Sequence, residues 1–294
     1  MKKKKILITG SNGFIGINLI KQLKKKYNIF EIGRKKKNKK NYFILDLKNY
    51  KKVEYFFKKN SFDLIIHCAW YTKHSDYRKS NKNYNHLNHS KNLLDHYIKN
   101  GGRNFIGIGT CEEYYKKNFK KNFFIENNNI KPTNIYSRAK NFFHLYLKKS
   151  GINYKWVRIF YLFGEGENKK RLFPSLIESV IKNKKFKLKN PNFRTDFLYV
   201  DTVVKMIDKL INLKISGEFN VCRGKSEKLE DIYNFIIKYF KINLTKNRNK
   251  TNNKLNKEEI VGSIKKMKKY KCYVHSNFEY NLIKYLRLFK NSRP

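Results

Sequence analysis

The chain is 294 residues long, a length that suits one large two-lobed domain or two modest ones around a substantial core. Its 68 basic side chains outnumber 22 acidic ones for a formal net charge of +46, but lysine is spread over nearly every segment, so the surface reads as a solvated basic one that attracts phosphorylated substrates, not as a specific nucleic-acid reader. Only three apolar residues follow the N-terminal lysines, no run approaches the ~20 apolar residues of a membrane span, and Cys68, Cys111, Cys222 and Cys272 form no Cys-x-x-Cys pair; a cytoplasmic protein with reduced thiols, no membrane segment and no metal is expected.

Lys5 to Thr9 is a short apolar run ending in a glycine turn, and Phe14 to Lys25 sets Phe14, Ile15, Leu19, Ile20 and Leu23 close to helical spacing. Strand, turn and helix are predicted. Ile29 to Ile32 and Phe43 to Leu47 read as the second and third strands, Tyr50 to Lys59 as a helix and Asp63 to Cys68 as the fourth strand. Asn85 to Asn100 forms a helix on Leu87, Leu93, Leu94, Tyr97 and Ile98, followed by a buried strand from Asn104 to Ile108. This alternation specifies a parallel sheet covered on both faces. Beyond residue 150 the pattern loosens. Trp156 to Phe163 reads as one strand, Leu172 to Ile181 as a helix, Phe197 to Val200 as a short strand and Thr202 to Leu213 as a helix, while the polar tract Asn243 to Lys257 reads as a mobile loop.

Gly10-Ser-Asn12-Gly13-Phe14-Ile15-Gly16 stands between the first strand and the first helix, where glycines let the backbone turn tightly and bring a pyrophosphate to free helix amides. The position points to a dinucleotide. Its Gly-x-x-Gly-x-x-Gly spacing resembles the extended short-chain dehydrogenase/reductase family. The second strand ends Glu31-Ile32-Gly33-Arg34, with glycine in the place of the acid that holds ribose hydroxyls and arginine next to it, which favours NADP with NAD as the alternative; Glu31 takes the acidic role if the register slips by two. The resemblance also assigns Asp46 and Leu47 to the adenine side of the cofactor and Cys68 and Ala69 to the nicotinamide side.

Tyr136-Ser-Arg-Ala-Lys140 puts a phenol and an ammonium four residues apart on one helix face, where the ammonium is expected to lower the phenol pKa toward that of a proton-transfer group. Thr110 lies upstream at a strand end; Val157-Arg158 through Phe163-Gly164 and Arg194-Thr-Asp196 through Val200-Asp201 follow. This order is similar to that of the same family, from Lys5 to about Val221, and implies that Thr110, Tyr136 and Lys140 are its catalytic triad. The resemblance implies a Rossmann-type doubly wound α/β sheet in residues 1–160, a smaller C-terminal α/β substrate lobe mostly in 161–294, a nucleotide-sugar substrate and a homodimer. Dehydratases of the family carry Asp-Glu after the threonine. Here Cys111-Glu112 follows Thr110, which speaks against dehydration, and Thr110-Cys-Glu-Glu-Tyr114 resembles reductases of 4-keto-6-deoxy nucleotide sugars; the resemblance thus favours reduction of such a sugar, ahead of 4-epimerisation, 4,6-dehydration or cofactor binding without catalysis. Glu112 is retained on the substrate side as a candidate second acid or base, and Arg171 and Arg194 as candidates for the substrate diphosphate, since guanidinium forks match phosphate oxygens. Tyr161 for asparagine, Glu165 for proline and an early Arg194 depart from the family pattern and bear on the sugar pocket.

Overall fold

Strand β1 (Lys5–Thr9) and helix α1 (Phe14–Leu23) open the chain, followed by β2 (Asn28–Gly33), β3 (Tyr42–Ile44), α2 (Tyr50–Lys59), β4 (Leu64–His67), α3 (Lys82–Lys99) and β5 (Asn104–Thr110). A 3-10 turn at Cys111–Glu113 leads to β6 (Lys121–Phe124), α4 (Ile135–Lys149), β7 (Asn153–Ile159), β8 (Tyr161–Phe163), α5 (Leu172–Ile181), β9 (Arg194–Thr195) and β10 (Phe197–Tyr199). Then come α6 (Val200–Ile211), β11 (Gly217–Val221), β12 (Glu227–Lys228), α7 (Leu229–Phe240), β13 (Glu259–Gly262), α8 (Lys265–Lys269) and α9 (Phe278–Arg287). The computed structural model describes residues 3–116, 121–242 and 258–290; the polar tract 243–257 lies outside them.

Seven strands form one parallel sheet in the order β11-β7-β5-β4-β1-β2-β3. Its central strands are apolar on both faces, as a doubly covered sheet requires. Ile6, Ile8, Ile66, Ile106 and Val157 pack with Leu19 of α1 and Val203 and Ile207 of α6. Leu7, Ile65, Phe105 and Trp156 pack on the opposite face with Val53 of α2, Leu93 of α3 and Phe143 of α4. The strand order reverses between β1 and β4, so the crevice at their C-terminal ends is the natural ligand position of such a sheet.

The remaining strands make a four-stranded sheet, β12-β9-β13-β6, and a pair, β10-β8. A further core of Phe163, Phe173, Leu176, Phe197, Ile236 and Leu286 joins α5, α7 and α9 to that pair. The apolar run Trp156 to Phe163 is two strands, not one. At its break the Phe160 N–H donates to Val221 O (3.2 Å) and the Tyr161 N–H to Asp196 O (3.2 Å), so the chain leaves the large sheet for the small pair. The third strand is also shorter than predicted, because after Ile44 the chain turns at Asp46, whose Oδ1 accepts from the Lys48 N–H at 3.1 Å. Strand β11 has no counterpart in the sequence pattern, yet it pairs with β7 along its whole length. Among the described residues no helix is long and apolar enough to cross a membrane.

Candidate active site

The glycine turn is built for close approach. Gly10 takes a left-handed φ of +64°, and the Gly13 N–H closes the turn onto Gly10 O at 2.9 Å. A Cβ on Gly16 would stand 2.3 Å from Gly10 O, so the start of α1 packs on the turn only because no side chain intervenes. Helix α1 begins at Gly13 without a side-chain cap and without an acidic residue in its first turn, leaving its positive end to an anion. This cradle fits the pyrophosphate of a dinucleotide, with Gly10, Asn12, Gly13, Phe14, Ile15 and Gly16 around it. Gly16→Ala is expected to destabilise the fold by about 1–3 kcal/mol through overpacking and to weaken dinucleotide binding, read by urea unfolding and by nicotinamide fluorescence. Unchanged stability and affinity would contradict the packing described.

At the far end of β2, Gly33 faces the Tyr42 hydroxyl. A Cβ there would lie 2.0 Å from Tyr42 Oη and 2.7 Å from Asn12 Nδ2. Tyr42 Oη accepts from Asn12 Nδ2 (3.1 Å) and donates to Lys35 O (2.7 Å). Glu31 is buried and paired with Lys39, so its carboxylate is engaged away from the glycine position. Arg34 is exposed beside this corner, and Asp46 and Leu47 are half-buried at the adjoining strand end. Ala69 lies against Gly10, where a Cβ on the glycine would meet its backbone N at 2.7 Å. Burial pushes the neighbouring Cys68 thiol up to about 12, which keeps it protonated.

Strand β5 delivers Thr110 to the crevice. Its Oγ1 accepts from the Glu112 N–H (3.2 Å), and its own N–H donates to Glu113 Oε1 (2.9 Å), a reciprocal cap that fixes the turn. Helix α4 packs along β5 and this turn, starting at Asn134, whose Oδ1 accepts from the Ser137 N–H at 2.9 Å. Tyr136 and Lys140 stand one turn apart on it. The Lys140 Nζ donates to Ile108 O at 2.7 Å and lies 3.8 Å from the centre of the Trp70 ring. Burial lowers its pKa to about 7, against the opposing pull of Glu113 and Cys68. The Tyr136 ring meets Tyr77 edge-on at 5.0 Å, and its N–H donates to Arg78 O at 3.4 Å.

The expected lowering of the Tyr136 pKa by Lys140 is not what the geometry produces. Burial raises the phenol, Glu112, Tyr77 and Glu113 add to the rise, and Arg171 opposes it. Burial is the main cause, and the Lys140 ammonium makes its own contacts with the Ile108 carbonyl and the face of Trp70.

Glu112 is 10% exposed and heavily occupied. Arg78 Nε lies 3.1 Å from each of its oxygens, Arg78 Nη2 donates to Oε1 at 2.6 Å, and Asn134 Nδ2 donates to Oε2 at 2.8 Å. Burial alone would raise this carboxyl, but the Arg78 hydrogen bonds and charge outweigh it and hold it below its ordinary value. Arg171 precedes α5 and pairs with Glu167 at 3.4 Å; burial pushes Glu167 up to about 8. Arg194 opens β9, in register with Lys228 and Glu259. The structure thus gathers Thr110, Tyr136, Lys140, Glu112 and Arg171 around one strand end and adds Trp70, Tyr77 and Arg78 there, with Tyr42 at the separate Gly33 corner; no sequence motif marked these four. Glu113 is a further addition, and Thr110-Cys-Glu-Glu113 carries the Thr-x-x-Glu signature of a capping box that could have identified it.

A family model described as the NAD dependent epimerase/dehydratase family matches residues 6–222. The chain belongs to the NAD-dependent epimerase/dehydratase family. Within curated proteins it is 24% identical over 250 residues to a dTDP-6-deoxy-L-talose 4-dehydrogenase (NAD(+)) of Aggregatibacter actinomycetemcomitans, covering 76% of this chain and 86% of that one. A GDP-6-deoxy-D-talose 4-dehydrogenase of the same organism is 28% identical over 243 residues, covering 79% of each chain. The fold is similar to that of UDP-glucose 4-epimerase from Thermotoga maritima, solved with UDP-glucose, at a TM-score of 0.80, 17% identity and coverage of 98% of this chain and 99% of that one. The matched span holds the glycine turn, Thr110, Tyr136 and Lys140 together. The seven-stranded Rossmann-type sheet is thus the family's own.

Proposed function

We propose that this chain reduces a 4-keto-6-deoxy nucleotide sugar, with NADPH favoured over NADH. A bound nicotinamide supplies or takes the hydride. Tyr136 gives the proton to the reacting oxygen, Thr110 orients that oxygen, and Lys140 holds the nicotinamide ribose. Most of the sugar pocket is assigned to residues 161–294, with Arg171 and Arg194 for the diphosphate.

The observation that carries this reading is the state of the two positions after Thr110. Elimination of water needs a free acid and base there. Cys111 is buried with its thiol pushed up to about 12, and the Glu112 carboxylate is locked by Arg78 and Asn134. What stays available for proton transfer is the Thr110, Tyr136 and Lys140 group. That leaves redox chemistry at a sugar hydroxyl or ketone, and the two curated 4-dehydrogenases support the same choice.

The decisive test incubates the pure protein with NADPH and dTDP-, GDP- and UDP-linked 4-keto and 4-hydroxy sugars while following nicotinamide absorbance. Stoichiometric NADPH oxidation supports the reductase. Product without net cofactor change makes the protein a 4-epimerase, which uses the same three groups, and loss of water without NADPH oxidation removes the proposal.

The NADPH preference rests on the corner at Gly33. Tyr42 Oη fills the space of an acidic side chain, Glu31 is engaged by Lys39, and Arg34 stands free for a 2′-phosphate. Arg34→Ser should weaken NADPH binding about tenfold, the equivalent of one charge-assisted hydrogen bond, and leave NADH unaffected in a fluorescence titration. Equal losses for both cofactors would count against the assignment. A homodimer is also proposed, because α4 leaves Phe142 and Leu145 47% and 44% exposed on its outer face. Light scattering reads the mass directly, and a monomer at assay concentrations would refute it.

A further inference from the structure

Segments distant in the sequence meet at the Glu112 carboxylate. Arg78, from the connection between β4 and α3, takes both of its oxygens. Asn134, the N-cap of α4, takes Oε2 at 2.8 Å while its own Oδ1 holds the Ser137 amide. Two residues beyond that cap stands Tyr136, which is bonded through its N–H to the Arg78 carbonyl and lies edge-on to Tyr77.

We propose that Glu112 is a positioning residue, tying the Tyr77–Arg78 segment to the head of α4 so that the Tyr136 phenol keeps one orientation toward the reacting oxygen. This rests on Tyr136 being the proton donor. Both carboxylate oxygens are occupied, so Glu112 acts through Tyr136 and not on substrate. Its charge gives it a second effect. The groups around the phenol are Glu112 and Glu113 from the turn after β5, Tyr77 and Arg78 ahead of α3, Arg171 ahead of α5 and Lys140 on α4 itself. After burial, Glu112 is the largest influence holding the proton on Tyr136.

The test compares Glu112→Gln and Glu112→Ala with the parent enzyme, using NADPH and dTDP- and GDP-linked 4-keto-6-deoxyhexoses across pH. Reduction uses the protonated phenol, so turnover falls as pH rises through the Tyr136 pKa. Glu112→Gln keeps an oxygen for Arg78 but removes the charge: its alkaline limb should move toward acid, and its kcat should fall much less than that of the alanine variant. Glu112→Ala cuts the tie and should lower kcat by about a hundredfold with NADPH affinity unchanged. Hydrogen exchange at the Tyr77, Arg78 and Tyr136 amides, which needs no substrate, should quicken in the alanine variant and not in the glutamine one. A glutamine variant as inactive as Tyr136→Phe would make Glu112 the proton-transfer group and overturn the inference. Normal kcat, an unmoved limb and unchanged exchange in both variants would overturn it alone. Full activity of Tyr136→Phe would remove the underlying reading and this inference with it.

Discussion

Tyr136→Phe should lower turnover by about a thousandfold, the contribution expected of a positioned general acid, while NADPH affinity stays within about twofold. The substitution removes one oxygen from a ring that packs edge-on against Tyr77, and neither the Lys140 contact with Ile108 nor the glycine turn depends on that oxygen. Loss of kcat with retained cofactor binding therefore isolates the proton-transfer step. A cofactor sensor without catalysis makes the opposite prediction, since its binding function would survive intact. The Tyr136 pKa also sets a direction. Because burial and Glu112 hold the proton on the phenol, the reductase should stay active well into the alkaline range, and an early alkaline loss of activity would place another group in control.

Arg158→Met should cost about 3–5 kcal/mol, because it leaves the charge of Glu113 buried without its partner. Arg158 and Glu113 are both sealed from solvent and meet at 2.9 Å, and Trp156 Nε1 donates to the same carboxylate at 2.9 Å. Against a total stability of about 5–15 kcal/mol, such a loss is a large fraction and should be plain in a urea unfolding curve. Replacing Glu113 by Gln in the same chain removes the orphaned charge, keeps an acceptor for the Trp156 and Thr110 N–H groups, and should restore part of the loss. A single substitution costing under about 1 kcal/mol would mean that water reaches the pair. The pair also matters to the site, because Glu113 caps the turn that presents Thr110 and favours the charged form of Lys140.

The first half of the chain was legible because its strands are buried on both faces and read as unbroken apolar runs. Lys5 to Thr9 and Tyr50 to Lys59 match their elements residue for residue, and Asn104 falls at the start of its strand; beyond the midpoint only the strongly periodic Leu172 to Ile181 matches as well. The later half resisted for an equally physical reason. Gly217 to Val221 contains Glu218 and Asn220, and Asn220 is buried only because Phe124 O and the Tyr114 hydroxyl satisfy it from far along the chain. The Trp156 to Phe163 run is continuous in hydrophobicity but not in hydrogen bonding, and only tertiary pairing reveals the break at Phe160. At the site, spacing brought out Tyr136 and Lys140 as one-turn neighbours but not where the ammonium goes, since Ile108 O and Trp70 come from other segments. Arg78 escaped notice altogether, because a lone arginine among so many cations carries no local mark of the carboxylate it meets 34 residues away.

The pairing of β11 with β7 bears on any attempt to transplant substrate choice between relatives. Residues 217–221 complete the edge of the cofactor-side sheet, and α6, which precedes them, lies against α1 on its face. A graft that takes everything after residue 160 from a donor enzyme would therefore replace part of the recipient's own scaffold and strip the native cover from Val157 and Ile159. Recombinants should keep residues 200–221 from the recipient and exchange the stretches on either side, so that the wall of the sheet stays native and only the segments proposed for the pocket are traded.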